Sequence, residues 1–175
     1  LTLFLFTTLA MWGSAMNYYF ENYVDADALY SFLDKLGLVT TQAGTGLGYS
    51  LLNAFGLIVS SPDKAYEVGF GVFNMLGALV QFFGVILLSG FLANRYGKKR
   101  VFIICLALTA AFTAMFYFPN ETDIETMFFL NVLKSLAYAP TVPLLWAMIA
   151  DVADHSEYVN YRRATGFVFA GVVFA

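Results

Sequence analysis

The sequence predicts an all-α, polytopic transmembrane helix bundle. Three observations predict it: apolar residues dominate, charge is scarce, and the charges cluster between long charge-free runs. Of 175 residues, 60% are hydrophobic and 12% are Asp, Glu, Lys or Arg, with a mean hydropathy of +0.72. Soluble domains carry about 25% charged residues, so this chain has too little charge to cover a globule. The same scarcity excludes intrinsic disorder, a coiled coil and a nucleic-acid-binding surface. Nine basic and 12 acidic residues leave a net charge of −3, too small to indicate a partner. A lone cysteine, Cys105, permits no internal disulfide, and a lone histidine, His155, excludes a two-histidine metal site. No nucleophile–base pair or metal cluster points to an enzyme.

Charge-free runs define the elements in order. Leu1 to Phe20 is 20 residues long, Val68 to Ala93 is 26, and Val101 to Asn120 is 20. Ile124 to Ala150 is interrupted only by Glu125 and Lys134. A hydrocarbon core of about 30 Å takes roughly 20 helical residues to cross. Spans are therefore expected at about 1–24, 67–93, 101–118 and 126–150, with a fifth begun at 164–175. None of the runs alternates inside and outside as barrel strands do. Gly69, Gly71, Gly84 and Gly90 suit close helix packing in lipid. Leu1 is not a methionine and Ala175 falls inside an apolar run, so a piece of a longer chain is expected.

Residues 25–66 are expected as an external insert, either lying at the interface or re-entrant. Asp25 is placed to cap a short amphipathic helix, with Leu29, Phe32, Leu33 and Leu36 at helical spacing and Gly37 ending it. Leu36 to Pro62 is long enough to span but holds five glycines around a Thr-Thr-Gln centre. Such backbone is tolerated at membrane depth only under protein or water. Orientation follows from Arg95, Lys98, Lys99, Arg100, Arg162 and Arg163, six of the nine basic residues, in two short loops on one face. The positive-inside rule puts that face in the cytoplasm and leaves the outer face acidic.

Two stretches carry a resemblance. The first is Gly90-Phe-Leu-Ala-Asn94-Arg95-Tyr96-Gly97-Lys98-Lys99-Arg100, which is similar to the cytoplasmic signature of major facilitator transporters, with Asn94 where an aspartate is usual. In it Gly90 would let helices approach and Gly97 would make the tight turn. The second runs from Pro140 through Trp146-Ala-Met, Asp151, Asp154, Glu157-Tyr158 and Arg162-Arg163-Ala-Thr-Gly166. It resembles the glycoside–pentoside–hexuronide:cation symporters, the family of the melibiose carrier, as does Asn17-Tyr-Tyr-Phe20. The resemblance implies the major facilitator fold, helices seven to ten and the start of eleven, from the C-terminal half of a twelve-helix carrier. It implies cation-coupled symport of a sugar or glycoside in a bacterial inner membrane. The coupling Na⁺ or H⁺ would then be held in the N-terminal half, with no cofactor. The expected partners are the sugar, the bilayer and the chain's own N-terminal half.

The local chemistry assigns candidate residues. Asp151 and Asp154 share one face of a helix end, within reach of Arg162 and Arg163. With Glu157, Arg95, Gly90 and Gly97 they form a candidate cytoplasmic gate, to be weighed against a static solvated rim. Trp146 is the candidate sugar-stacking residue, and a belt tryptophan suits its depth equally well. Asn17, Tyr18 and Gln81 are candidate hydroxyl partners or interhelical hydrogen bonds. Pro140 and Pro143 predict a hinge above Trp146, His155 is expected in a loop, and Lys134 is left without a role. Two readings remain open beside symport: a same-fold protein that moves lysolipid, and a sugar sensor that does not transport.

Overall fold

The computed structural model describes residues 2–39, 50, 53–54, 56–59, 64–160, 166 and 169–171. Its long elements are all helices: α1 (Thr2–Asn22), α2 (Ala26–Lys35), α3 (Ala65–Gly84), α4 (Gly90–Tyr96), α5 (Lys98–Met115), α6 (Ile124–Tyr138) and α7 (Thr141–Asn160). No β-strand occurs among the described residues, only an isolated parallel bridge between Val39 and Val59. The all-α expectation is met. Two continuous stretches, Ala65–Tyr96 and Ile124–Val159, are long and apolar enough to cross a membrane by length and composition. The 18-residue α5 opens on Lys98, Lys99 and Arg100, which shortens its apolar part.

The apolar run behind α3 and α4 is not wound uniformly. Val85–Ser89 form a π-helical turn between them, and the Ser89 hydroxyl donates to the carbonyl of Val85 inside it. A π turn widens the helix by one residue and bends its path. The neighbouring long helix is interrupted at the same level. Pro140 has no N–H to give Leu136, so α6 ends at Tyr138 and α7 starts at Thr141. The Thr141 hydroxyl donates to the Tyr138 carbonyl at 2.6 Å and covers part of the break. Pro143 costs nothing where it lies, because the first turn of a helix has no use for its N–H. The break therefore belongs to Pro140.

Helix α3 packs on α6 through glycine. A Cβ at Gly77 would lie 3.0 Å from Asn131 Nδ2 and from Ser135 Oγ, so only glycine allows this approach. Asn131, 3% exposed, uses the proximity to donate from Nδ2 to the Phe73 carbonyl at 2.7 Å. Gly84 continues the same stripe against Ala139 and Leu136. At Gly90 a Cβ would meet open space among the described residues, and the close approach that they show falls about one and a half turns earlier, at Gly84.

The two ends of the bundle hold separate apolar clusters. At one end Phe73 packs edge-on against Phe20, Phe116 and Phe128, with ring centroids 4.9, 6.2 and 5.4 Å away. Here α2 docks as its amphipathic spacing predicts. Asp25 caps it by accepting from the Asp27 N–H, Leu29 and Leu33 are fully buried, and Gly37 ends it at φ 73°. Burying those two leucines contributes about 1.5–3 kcal/mol each. The Asp25 N–H donates to Glu121 O at 3.0 Å and the Tyr23 hydroxyl to Pro119 O at 3.1 Å, tying this corner to the α5–α6 loop. The other cluster joins Val101, Phe102 and Cys105 of α5 to Leu144 and Leu145 of α7. That contact brings the basic turn at Gly97 to the same end of the bundle as the acidic end of α7.

Candidate functional site

At that end, Gly97 adopts φ 83° between α4 and α5, a left-handed conformation that suits glycine, so the tight turn is as expected. The turn starts α5 with Lys98, whose Nζ donates to both carboxylate oxygens of Asp151 at 2.7 Å. A cation at a helix start opposes the helix dipole, and the Asp151 carboxylate drawn to that start restores favourable charge. Both side chains are about half exposed, so the pair adds only about 0–1 kcal/mol to stability. A pair that weak is easily broken and remade.

The other rim residues fall as follows. Asp154 and Glu157 are exposed on α7, which runs on to Asn160. His155 lies on that helix as well, not in a loop, because no helix-breaking residue follows Asp151 until the described stretch ends. Arg95 sits over the ring of its neighbour Tyr96, 5.8 Å from the centroid. Arg162 and Arg163, expected to face Asp151 and Asp154, lie outside the described residues. Among the described residues Asp151 pairs with Lys98, a residue that the sequence places on the same face without pairing it.

The second group lines the seam between α1 and the α6–α7 helix. A cleft of about 40 Å³ there is lined by Leu5, Leu9, Tyr138, Thr141, Leu145 and Trp146, among others. Trp146 is 43% exposed and lies parallel to Phe169, with centroids 6.5 Å apart and planes at 9°. One part of the indole is thus backed by an aromatic ring while the rest stays open. A cleft this small holds a water molecule and not a sugar, since ligand pockets run to about 300–1,000 Å³.

The remaining candidates do not converge on Trp146 within this chain. Asn17 and Tyr18 are exposed on α1, eight residues or about 12 Å beyond Leu9 along the helix. Gln81 is half-buried on α3, outside the residues that line the cleft. One turn beyond Tyr138, Lys134 lies over the face of Trp12, its Nζ 3.8 Å from the ring centroid. The sequence reading singled out Lys134 but missed Trp12 as its platform. The available signal was the run Leu5, Leu9, Trp12, one face of α1 at helical spacing.

A larger cavity, about 320 Å³, lies away from all of these groups. It is lined by Leu79, Val80, Phe83, Gly84, Leu87, Leu88 and Leu136, beside the π turn and the Pro140 break. Its lining is hydrocarbon alone and it is open on one side, so this wall offers a polyhydroxylated ligand no hydrogen-bond partner.

Comparison with known proteins agrees with this architecture. The chain is 36% identical to the inner membrane symporter YicJ of Escherichia coli (strain K12) over 78 residues, 44% of this chain and 17% of that one. It is 31% identical to an uncharacterized 29.9 kDa protein in the crtE 3′ region of Pseudescherichia vulneris over 85 residues, 48% of this chain and 30% of that one. It is 30% identical over 93 residues to a protein of Salmonella typhimurium provisionally named a 2,3-dihydroxypropane-1-sulfonate exporter, covering 53% of this chain and 20% of that one. The matches thus span less than a third of each relative's length. No solved structure matches the chain. The model of a family described as MFS/sugar transport protein matches residues 35–175, and the chain belongs to that family.

Proposed function

We propose that this chain is part of the C-terminal six-helix half of a secondary transporter that carries a sugar or glycoside together with Na⁺ or H⁺. Trp146 carries the reading. Its indole is half open beside the α1–α7 cleft, backed by Phe169 and near the Tyr138 ring. An indole face packs against the C–H face of a pyranose while its N–H stays free to donate. Asn17, Tyr18 and Gln81 would contribute hydroxyl contacts from a cavity completed by the N-terminal half, which would also hold the coupling cation. The family match supports the transport part of this reading, and the inner-membrane relative supports a multi-pass protein of the bacterial inner membrane.

At the proposed cytoplasmic rim, Asp151, Asp154 and Glu157 would work with Arg95, Arg162 and Arg163, and with Lys98, as a gate. Gly97 sets the turn that presents Lys98, and Gly90 leaves room beside α4. Alternating access requires contacts that break each cycle, and a half-exposed ion pair suits that use. Uptake of labelled glycosides into vesicles, with an imposed Na⁺ or H⁺ gradient, tests the proposal. Accumulation driven by one gradient is expected; uptake that ignores both gradients rejects symport. The apolar cavity beside Gly84 favours a second reading, movement of a lysolipid whose chain lies there. Transport of a lysolipid with no uptake of any glycoside would select it.

A further inference from the structure

Before it enters α3, the chain passes over the end of the bundle opposite the Gly97 turn. That end is the outer one in the orientation set by the basic residues. Helix α2 lies across it and touches parts of the chain that are far apart in sequence. Against α3, a Cβ at Gly69 would fall 2.6 Å from Leu29 Cδ2, so the leucine sits directly on the glycine. Against α6, the rings of Phe32 and Phe128 are 4.8 Å apart, and Lys35 Nζ donates to Glu125 Oε1 at 3.3 Å. Residues 23–25 join α2 to the end of α1, and from them the Tyr23 hydroxyl and the Asp25 N–H donate to the carbonyls of Pro119 and Glu121. Beyond α2, the Val59 N–H donates to the Leu38 carbonyl at 2.9 Å, and Val39 and Val59 are buried in the cluster that holds Leu29, Leu33 and Phe73.

What holds α2 down is apolar. The side chains of the Lys35–Glu125 pair are 72% and 73% exposed, and an ion pair in water adds little. Leu29 and Leu33 are fully buried, and lifting α2 would return both to water and open the cluster beneath them. The opposite end of the bundle differs, because the Lys98–Asp151 pair there is half exposed and parts at little cost. Elements that must open in every cycle are drawn from the least stable parts of a fold. By its burial, α2 is not one of them.

We infer that α2 is a strap and not a lid: it stays docked and binds the outer ends of α1, α3 and α6 into one block that moves as a unit. The cycle in which the block moves rests on the transporter reading above, whereas the strap rests on the contacts themselves. With residues 23–25 bonded to the α5–α6 loop, the outer end of α1 is held to the start of α6 and does not swing away alone. Opening and closing of the outer face then falls to the block as a whole, against the proposed N-terminal half. The contacts that break within this half lie at the other end, beside the basic turn.

Two measurements on the full-length transporter in proteoliposomes test this, in a background free of native thiols that includes Cys105→Ser. In the first, Lys35→Cys and Glu125→Cys are linked by a short bis-thiol reagent, and linking is read from the loss of free thiols. Uptake of labelled methyl β-glucoside should stay within about twofold of the unlinked protein, because a strap that never lifts is not hindered by being tied. Uptake abolished by linking overturns the inference, since α2 would then be a lid. In the second, nitroxide labels on Asn22→Cys with Thr122→Cys, and on Glu67→Cys with Thr122→Cys, report how far α1 and α3 stand from the start of α6. Both distance distributions should be narrow and unmoved by the glucoside, and Leu29→Ala with Leu33→Ala should widen them about twofold or more. Leu29→Ala alone serves where the double variant does not insert. Widths that ignore the leucine variants, or wild-type distances that shift with the glucoside, overturn the inference. Uptake of no glycoside by the wild type removes the sugar reading and leaves the response of the labels to the leucine variants to decide the strap.

Discussion

A methyl group added at Gly84 would fall 2.7 Å from the Cβ of Ala139, which places the end of α3 directly against the Pro140 break. The two helices can be this close only while both residues stay small. Gly84→Val should therefore cost about 1–3 kcal/mol through overpacking, seen as a lower melting temperature in detergent. Gly90→Ala, where the space is open, should be neutral or stabilising by about 0.5–1 kcal/mol, the usual gain of alanine over glycine inside a helix. Equal losses at both positions would contradict the packing described for α3.

Lys98 and Asp151 give a prediction in which stability and turnover part company. Each side chain is about half exposed, so Lys98→Ala or Asp151→Ala should change stability by no more than about 1 kcal/mol. If the pair opens and closes with each cycle, the same variants should slow transport while leaving substrate affinity near the wild-type value. The exchange Lys98→Asp with Asp151→Lys should recover part of the rate. Initial-rate uptake over a range of substrate concentrations separates the two quantities, and a change confined to affinity would refute the gating role.

Trp146 should show the opposite division. Trp146→Ala removes the open indole face and should weaken sugar binding about tenfold, the loss of a ring contact together with its buried area. Trp146→Phe keeps a stacking face and should recover much of the affinity. Equilibrium binding of a labelled glycoside to the purified full-length carrier measures both. An unchanged affinity in Trp146→Ala would reduce this residue to a belt or packing role.

Much of the fold is written in local pattern. The helix at Ala26–Lys35 was legible because its cap, its apolar spacing and its terminating glycine all lie within Asp25–Gly37. The break at Pro140 was legible because a missing N–H acts on its own turn. The π turn at Val85–Ser89 was not, since hydropathy records composition and a π turn is a change of hydrogen-bond register within unchanged composition. Lys98 with Asp151 and Trp12 with Lys134 are partners between distant parts of the chain. Spacing rules rank neighbours along one helix and are blind to which helix faces which. Gly84 and Gly90 illustrate the same point, because a glycine marks where approach is permitted and not where a partner stands.

The π turn leads to the last prediction. It holds one residue more than an α-helical path needs, so deleting Leu87 should let Val85–Ser89 rewind as α-helix. The segments on either side would then keep their register, because only the surplus residue is lost. Gly97 and Lys98 would stay where they are, and Lys98 would keep its place beside Asp151. Deleting Ala93 from α4 instead removes a residue that the α path needs, so everything beyond should shift by about 1.5 Å and rotate by about 100° about the axis. Cysteines at positions 98 and 151, with Cys105→Ser to remove the native thiol, report this directly. A short bis-thiol reagent should link the pair in the parent and after deletion of Leu87, and fail after deletion of Ala93. Loss of linking on deletion of Leu87 would mean that the π turn itself sets the position of the basic turn, and is more than an absorbed extra residue.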